Sequence, residues 1–231
     1  MIAQSLHPWN VTYREAVRIQ EKLRARISLT NSARTVSSVA GADVSYSRGG
    51  GDGIAGMAVL SFPDLDLIDE AFVRGKISFP YIPGLLSFRE APLLVEVFQR
   101  LQHPPDVVLY DGQGIAHPRS FGLASHMGVL LDLPSVGCAK KKLVGDFGEV
   151  GLQAGSTTPL KMKGKIIGAV IRTRRGVKPV FVSPGHRIDL ESSIQLVLKT
   201  CRGFRLPEPI RRAHLMVKKN RSLGRASPTG K

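Results

Sequence analysis

Apolar residues recur at helical spacing through Ala16, Ile19, Leu23 and Ile27, behind a Thr12/Glu15 pair with capping-box spacing. This predicts an amphipathic helix from Thr12 to Ile27. The pattern then shortens to strand-like apolar runs. Val36 to Tyr46 reads as a buried strand, the glycines from 49 to 53 as a turn, and Ile54 to Phe62 and Ile68 to Ile77 as the rest of a three-strand meander. Next come a helix (Phe88 to Leu101), a strand (Val107 to Tyr110), a helix (Phe121 to Leu131) and a strand (Ser135 to Ala139). That alternation is the mark of parallel pairing. Ile166 to Arg172 and Val180 to Ser183 read as later strands, and Asp189 to Cys201 and Ile210 to Lys219 as later helices. No internal repeat is present. Residues 221 to 231, rich in Gly, Ser, Pro and basic side chains, read as a disordered tail behind a folded body of residues 1 to 220.

Composition narrows the partner. The chain has 231 residues, 42% of them hydrophobic, which is enough for a full core. Its formal charge is +15, which points to nucleic acid or an anionic surface. No apolar stretch approaches the roughly 20 residues needed to span a bilayer, so a membrane partner is not expected. Two cysteines, Cys138 and Cys201, make neither a disulfide framework nor a four-cysteine zinc site, and a reducing cytoplasm is the natural reading. The charge is also localised. Between Ala139 and Arg187 there are eleven Lys or Arg against two acids, Asp146 and Glu149.

Against this background a few acids stand out. Asp43 interrupts the apolar run Val39-Ala40-Gly41-Ala42-Asp43-Val44, and Asp111 ends the run Val107-Val108-Leu109-Tyr110-Asp111. A carboxylate in a strand core must be paired, neutralised or bound to a metal. If the two strands are neighbours, both acids reach one point, and oxygen ligands of this kind suit Mg²⁺. The plainer reading of Asp111 is an Asp-Gly turn. Glu90 has two readings: with Ser87 it has capping-box spacing, and beside the sheet it would join the aspartates.

The segment Pro80-Tyr81-Ile82-Pro83-Gly84 is stiffened by two prolines. It reads either as a protruding wedge of two bulky side chains or as a rigid turn packing Tyr81 into the core. Lys140 continues the strand side of Val136 and Cys138 and so points inward, whereas Lys140-Lys141-Lys142 as a run is an ordinary solvated face. His117 and His214 have no metal-helix spacing. His214 sits on a helix whose apolar positions Ile210, Ala213 and Val217 face the body.

Taken together, these stretches resemble the endonuclease V family. The likeness rests on Val39 to Tyr46, on Pro80-Tyr81-Ile82-Pro83-Gly84-Leu85-Leu86-Ser87-Phe88-Arg89-Glu90, and on Val107 to Gly114. It continues through Ala116-His117-Pro118-Arg119, Gly122 to His126, Gly137 to Lys140, Ser183 to His186 and the segment ending at His214. The resemblance implies an α/β, ribonuclease H-like single domain with a mixed central sheet flanked by helices. It implies a DNA-repair nuclease that recognises deoxyinosine in DNA and cuts the second phosphodiester bond 3′ to it, leaving a 3′-hydroxyl and a 5′-phosphate. Mg²⁺, with Mn²⁺ as substitute, would be held by Asp43 and Asp111, with Glu90 completing the acidic site. Pro80, Tyr81, Ile82 and Pro83 would form the wedge, and a base pocket would be built around Gly84, Leu86, Gly112, Gly122 and Leu123. Lys140 and His214 would lie near the scissile phosphate and His117 would contact the strand. A monomer is expected. The alternatives are a ribonuclease H-like nuclease acting on inosine-containing RNA or branched DNA, and a non-catalytic basic nucleic-acid-binding module.

Overall fold

The computed structural model describes residues 5–31, 35–47 and 51–223. Its frame is an eight-stranded sheet in the order β3-β2-β1-β4-β5-β8-β7-β6. The strands are β1 (Ser38–Tyr46), β2 (Asp52–Ser61), β3 (Leu67–Lys76), β4 (Val107–Tyr110), β5 (Ser135–Ala139), β6 (Thr157–Met162), β7 (Lys165–Ile171) and β8 (Val180–His186). Around it lie α1 (Tyr13–Arg24), α2 (Leu86–Arg100), α3 (Leu123–Leu131), α4 (Leu190–Lys199) and α5 (Glu208–Leu223). The first three strands form the antiparallel meander expected from the sequence, and β1, β4 and β5 are parallel neighbours. β8, β7 and β6 complete the sheet with antiparallel pairing.

Two apolar layers sandwich the sheet. One packs α2 and α3 on β1 to β4 through Leu94, Val97, Met127 and Leu130. The other packs α4 and the start of α5 on β4, β5, β7 and β8 through Leu196, Val197 and Ile210. The approach of α5 depends on Gly41: a Cβ there would lie 2.0 Å from the carbonyl carbon of Pro209, against backbone that cannot yield. A glycine two residues before Asp43 therefore lets α5 lie on β1. As expected, Ile210, Ala213 and Val217 are all fully buried on that helix.

Three expectations need correction. β6 was not foreseen, because Thr157-Thr158-Pro159-Leu160-Lys161-Met162 buries only Leu160 and carries a proline. It is an edge strand, where proline is tolerated. Ser87 and Glu90 form no capping box: α2 begins at Leu86 without a side-chain cap. α5 runs on to Leu223, three residues into the expected tail; the rest of that tail, and the start of the glycine turn at 49–53, lie outside the described residues. The capping box at Thr12 and Glu15 is present as predicted. No helix among the described residues is long and apolar enough to cross a membrane.

Candidate active site

Strand register brings the aspartates together. β1 and β4 run parallel with Ala42 opposite Tyr110, so the next residues, Asp43 and Asp111, come side by side at the same end of the sheet. Glu90 reaches the same place from the first turns of α2. The three acids, with Ala42, Val44, Leu94 and Leu123, line a cavity of about 130 Å³.

Each acid has its own holder. His214 Nδ1 lies 3.0 Å from Asp43 Oδ2, carried there by α5. Lys140 Nζ lies 2.5 Å from Asp111 Oδ2, carried by the end of β5. The Tyr46 hydroxyl donates to Glu90 Oε1. Burial pushes the Asp43 carboxyl above its usual range; His214 opposes this and the Asp111 charge adds to it. Glu90 is pushed up to about 8, chiefly by burial, with the Tyr46 hydrogen bond opposing and both aspartates contributing. Burial, then the neighbouring Glu90, raises the Tyr46 phenol as well. Acids crowded into apolar surroundings resist carrying several negative charges unless a cation joins them. As they stand, no three His, Cys, Asp or Glu side chains among the described residues converge into one ligand set. The two aspartates are turned onto Lys140 and His214 instead.

A second cavity of about 430 Å³ opens beside the first. Tyr81, Ile82, Pro83, Gly84, Leu86, Gly112, His117, Gly122 and Leu123 all line it, as do Lys140 and its two neighbours; Pro80 does not. Asp111 and Leu123 belong to the walls of both cavities, so the acids and the larger cavity share one partition.

The loop from Pro80 divides its two bulky residues. Tyr81 is 70% exposed, which removes the core-packing reading of its ring. Ile82 is different: it is half-buried, packing against the cluster of Ala16, Phe79, Leu85 and Phe88 while also lining the larger cavity, so Tyr81 is the more exposed of the two. Gly84 turns the chain with φ +81°, a conformation natural to glycine. Its carbonyl accepts from Gln20 Nε2 (3.1 Å), His117 Nε2 (2.9 Å) and Arg119 Nη2 (2.7 Å). His117 is thus only 3% exposed and braces the cavity rim, rather than standing open towards a strand. Burial first, then the Arg119 charge, hold its imidazole down at about 4.

Sequence reasoning missed Gln20, Arg119, Tyr46 and Gln113. Gln20 carried a faint signal, a polar residue on the apolar stripe of α1 between Ala16 and Leu23. Gln113 donates from Nε2 to the Lys141 carbonyl at 3.0 Å, which fixes its Oε1 as an acceptor. That oxygen is buried and has no hydrogen-bond partner among the described residues, on a side chain that lines the larger cavity.

A mixed sheet of this order, with acids on adjacent parallel strand ends and helices on both faces, defines an α/β protein of the ribonuclease H-like class. The endonuclease V family profile matches residues 21–215. Endonuclease V of Dehalococcoides mccartyi is 48% identical over 212 residues, covering 92% of this chain and 95% of that protein. The crystal structure of endonuclease V from Streptomyces avermitilis superposes with a TM-score of 0.89 at 38% identity, covering 98% of this chain and all of the other. Endonuclease V of Ciona intestinalis, solved as a D234N variant with a 23mer DNA containing an inosine followed by a ribo-adenosine, gives a TM-score of 0.81 at 29% identity over 92% and 99% of the two chains. The chain belongs to the endonuclease V family.

Proposed function

We propose that this chain is a divalent-metal-dependent endonuclease that reads deoxyinosine in DNA and hydrolyses the second phosphodiester bond 3′ to it, leaving the lesion in place between a 3′-hydroxyl and a 5′-phosphate. The observation that carries this reading is the shared wall of the two cavities: Asp111 and Leu123 separate a base-sized space from the acids. A base turned out of the stack into the larger cavity would leave its own backbone beside Asp43 and Asp111. Tyr81 stands exposed at the mouth, where a ring can fill the gap left by an extruded base. The Ciona relative, bound to inosine-containing DNA, supports the same substrate.

Mg²⁺ or Mn²⁺ fits the donor set, because Asp43 and Asp111 offer hard oxygen ligands, and burial first, then the neighbouring carboxylates, raise Asp43 and Glu90, which a cation would relieve. Such an ion, when bound, neutralises charge at the phosphate and lowers the pKa of an attacking water. The chain's own groups do the rest. Asp43 and Asp111 would hold the ion, and Glu90, fixed by Tyr46, would complete the acidic wall. Lys140 and His214, released from the aspartates, would meet phosphate oxygens. All of these groups come from one chain, which supports action as a monomer, and a reducing cytoplasm suits its two free thiols.

One observation favours a second substrate. The Ciona relative was bound to a strand with a ribonucleotide directly after the inosine, so inosine-containing RNA belongs in the same test. End-labelled duplex DNA with one deoxyinosine, and the matching RNA, are incubated with and without Mg²⁺ and the cut is mapped. A Mg²⁺-dependent nick one nucleotide beyond the lesion's own 3′ linkage is expected. Uncut inosine substrates, or cutting at random positions, would reject the proposal.

A further inference from the structure

The basic stretch noticed in the sequence has a place in the fold that the site described so far does not use. Strand order sets it. At the end of the sheet where β1 runs past β4, so that Asp43 lies beside Asp111, Lys140 follows β5. β8 pairs antiparallel with β5, Phe181 opposite Ala139, so the residues just before β8 lie at that same end. β7 pairs antiparallel with β8, Ile171 opposite Val180, so the residues just after β7 lie there too. The loop between β7 and β8 carries Arg174, Arg175 and Lys178, all exposed. Read across the sheet, one end presents acids on β1 and β4, then cations beside β5, β8 and β7. With strands about 4.8 Å apart, β7 stands roughly 14 Å from β4.

Two further arginines are spent in shaping that loop. Arg205 Nη2 donates to the carbonyls of Lys140 (2.6 Å) and Pro179 (2.9 Å), tying the loop directly to the residue that meets Asp111. Arg172 donates to the carbonyls of Val150, Gly151 and Val177. Both guanidinium groups are thus structural braces. By contrast, among the described residues no acid lies within ion-pair distance of Arg174, Arg175 or Lys178.

We propose that the β7–β8 loop is a second nucleic-acid contact: Arg174, Arg175 and Lys178 bind backbone phosphates of the substrate DNA where it runs from the acids across the end of the sheet. The inference rests on the nucleic-acid reading of the site, but on neither inosine recognition nor metal chemistry. Exposed cations of this kind bind phosphates without reading sequence, so they set affinity and its salt dependence.

The test uses undamaged duplex several helical turns long, without divalent metal, so that binding is measured apart from cutting. The variant R174S/R175S/K178S is compared with R100S/K199S/R202S, which removes the same charge at the other end of the sheet. There Lys199 lines a groove with Val36 and Val107, and Arg202 reaches the Pro63 carbonyl. Each lost phosphate contact lowers the slope of log K against log salt by about 0.9, so the loop variant should lose roughly 2 to 3 from the slope and bind about tenfold or more weakly near physiological salt. The control variant should keep the wild-type slope. An unchanged slope in the loop variant, or an equal drop in the control, overturns the proposal. Failure of the wild type to nick inosine would reject the proposed activity and leave this binding result standing.

Discussion

The Tyr46 hydroxyl donates to Glu90 Oε1, so the third acid of the site is held from the end of β1 and not by the turn of helix that bears it. Arg89 lies over the Tyr46 ring, 4.5 Å from its centroid, and donates to the Phe79 carbonyl at 2.7 Å. The loop that carries Tyr81 and the carboxyl of Glu90 are thereby braced by one tyrosine–arginine pair.

Tyr46→Phe keeps the ring under Arg89 and removes only the hydroxyl. With burial holding Glu90 up to about 8, the bond joins two neutral groups at pH 7 and contributes about 0.5–1.5 kcal/mol, so the melting temperature should fall by no more than a few degrees. Loss of the bond that places Glu90 should lower the nicking rate by up to about tenfold. Glu90→Gln is the companion variant. Burial holds Glu90 up to about 8, so a neutral amide resembles the side chain's state at neutral pH in the metal-free protein. Melting should be unchanged while nicking collapses. A Glu90→Gln enzyme with full rate would show that the carboxylate takes no part in the reaction.

Asp43→Asn and Asp111→Asn each remove one charge from the crowded end of the sheet. Desolvation of a buried carboxylate opposes folding, and the Asp111 charge raises Asp43 further. Thermal melting of Asp43→Asn without metal should therefore be equal to or above wild type, whereas Asp111→Asn loses its ion pair with Lys140 and should melt somewhat lower. Nicking should drop to about a thousandth or less, since charge stabilisation at the phosphate is lost. Calorimetric titration with Mn²⁺ gives a readout independent of turnover, and heat of binding equal to wild type in Asp43→Asn would remove that residue as a ligand.

The aspartates were legible in the sequence because an acid in an apolar strand has few explanations, but the strand–helix–strand order pointed only to parallel pairing of β4 with β5 and left open whether β1 and β4 are neighbours. Their partners were not legible. Tyr46 and Glu90 are 44 residues apart and His214 and Asp43 are 171 apart, separations at which local spacing carries no signal. The apparent capping box misled for the same reason: Ser87 Oγ is engaged by His126 Nδ1 at 2.9 Å, a tertiary contact that outcompetes the local one. β6 escaped notice because an edge strand with Pro159 and one buried side chain lacks alternation. Gly41 looked like any strand glycine until α5 was seen to rest on it.

Tyr81→Ala tests the exposed ring. At 70% exposure its removal should change stability by no more than about 0.5 kcal/mol. Ile82→Ala, by contrast, truncates a side chain packed on Phe79 and Phe88 and should cost about 1–2 kcal/mol. If the ring fills the gap left by an extruded base, Tyr81→Ala should lower cleavage of inosine in duplex more than in single strands, which have little stack to open. Equal losses on both substrates would show that the ring does not act on the duplex stack.

His117 should make the rim of the larger cavity sensitive to acid. Its Nε2–H donates to the Gly84 carbonyl at 2.9 Å and its Nδ1 accepts from the Arg119 backbone N–H at 3.2 Å, roles that only a neutral ring with the proton on Nε2 can fill together. Burial and the Arg119 charge hold its pKa down at about 4, against 6.5 for a free imidazole. Above pH 6.5 the ring is neutral folded or unfolded, and its full contribution is present. Between pH 6.5 and 4 the unfolded chain takes up a proton that the folded chain refuses, so stability falls by about 1.4 kcal/mol per unit, or roughly 3 kcal/mol in all. Below the folded pKa both states carry the proton and this loss stops. Buried His126, also held well below its usual value, adds to the slope in the same direction. His117→Gln can still donate to Gly84 and accept from Arg119 but does not titrate. Urea unfolding of both proteins at pH 7.5 and pH 4.5 should show the variant losing about 2–3 kcal/mol less than wild type across that interval. Parallel losses in the two proteins would mean that His117 is already protonated in the fold and that its contact with Gly84 does not depend on the neutral ring.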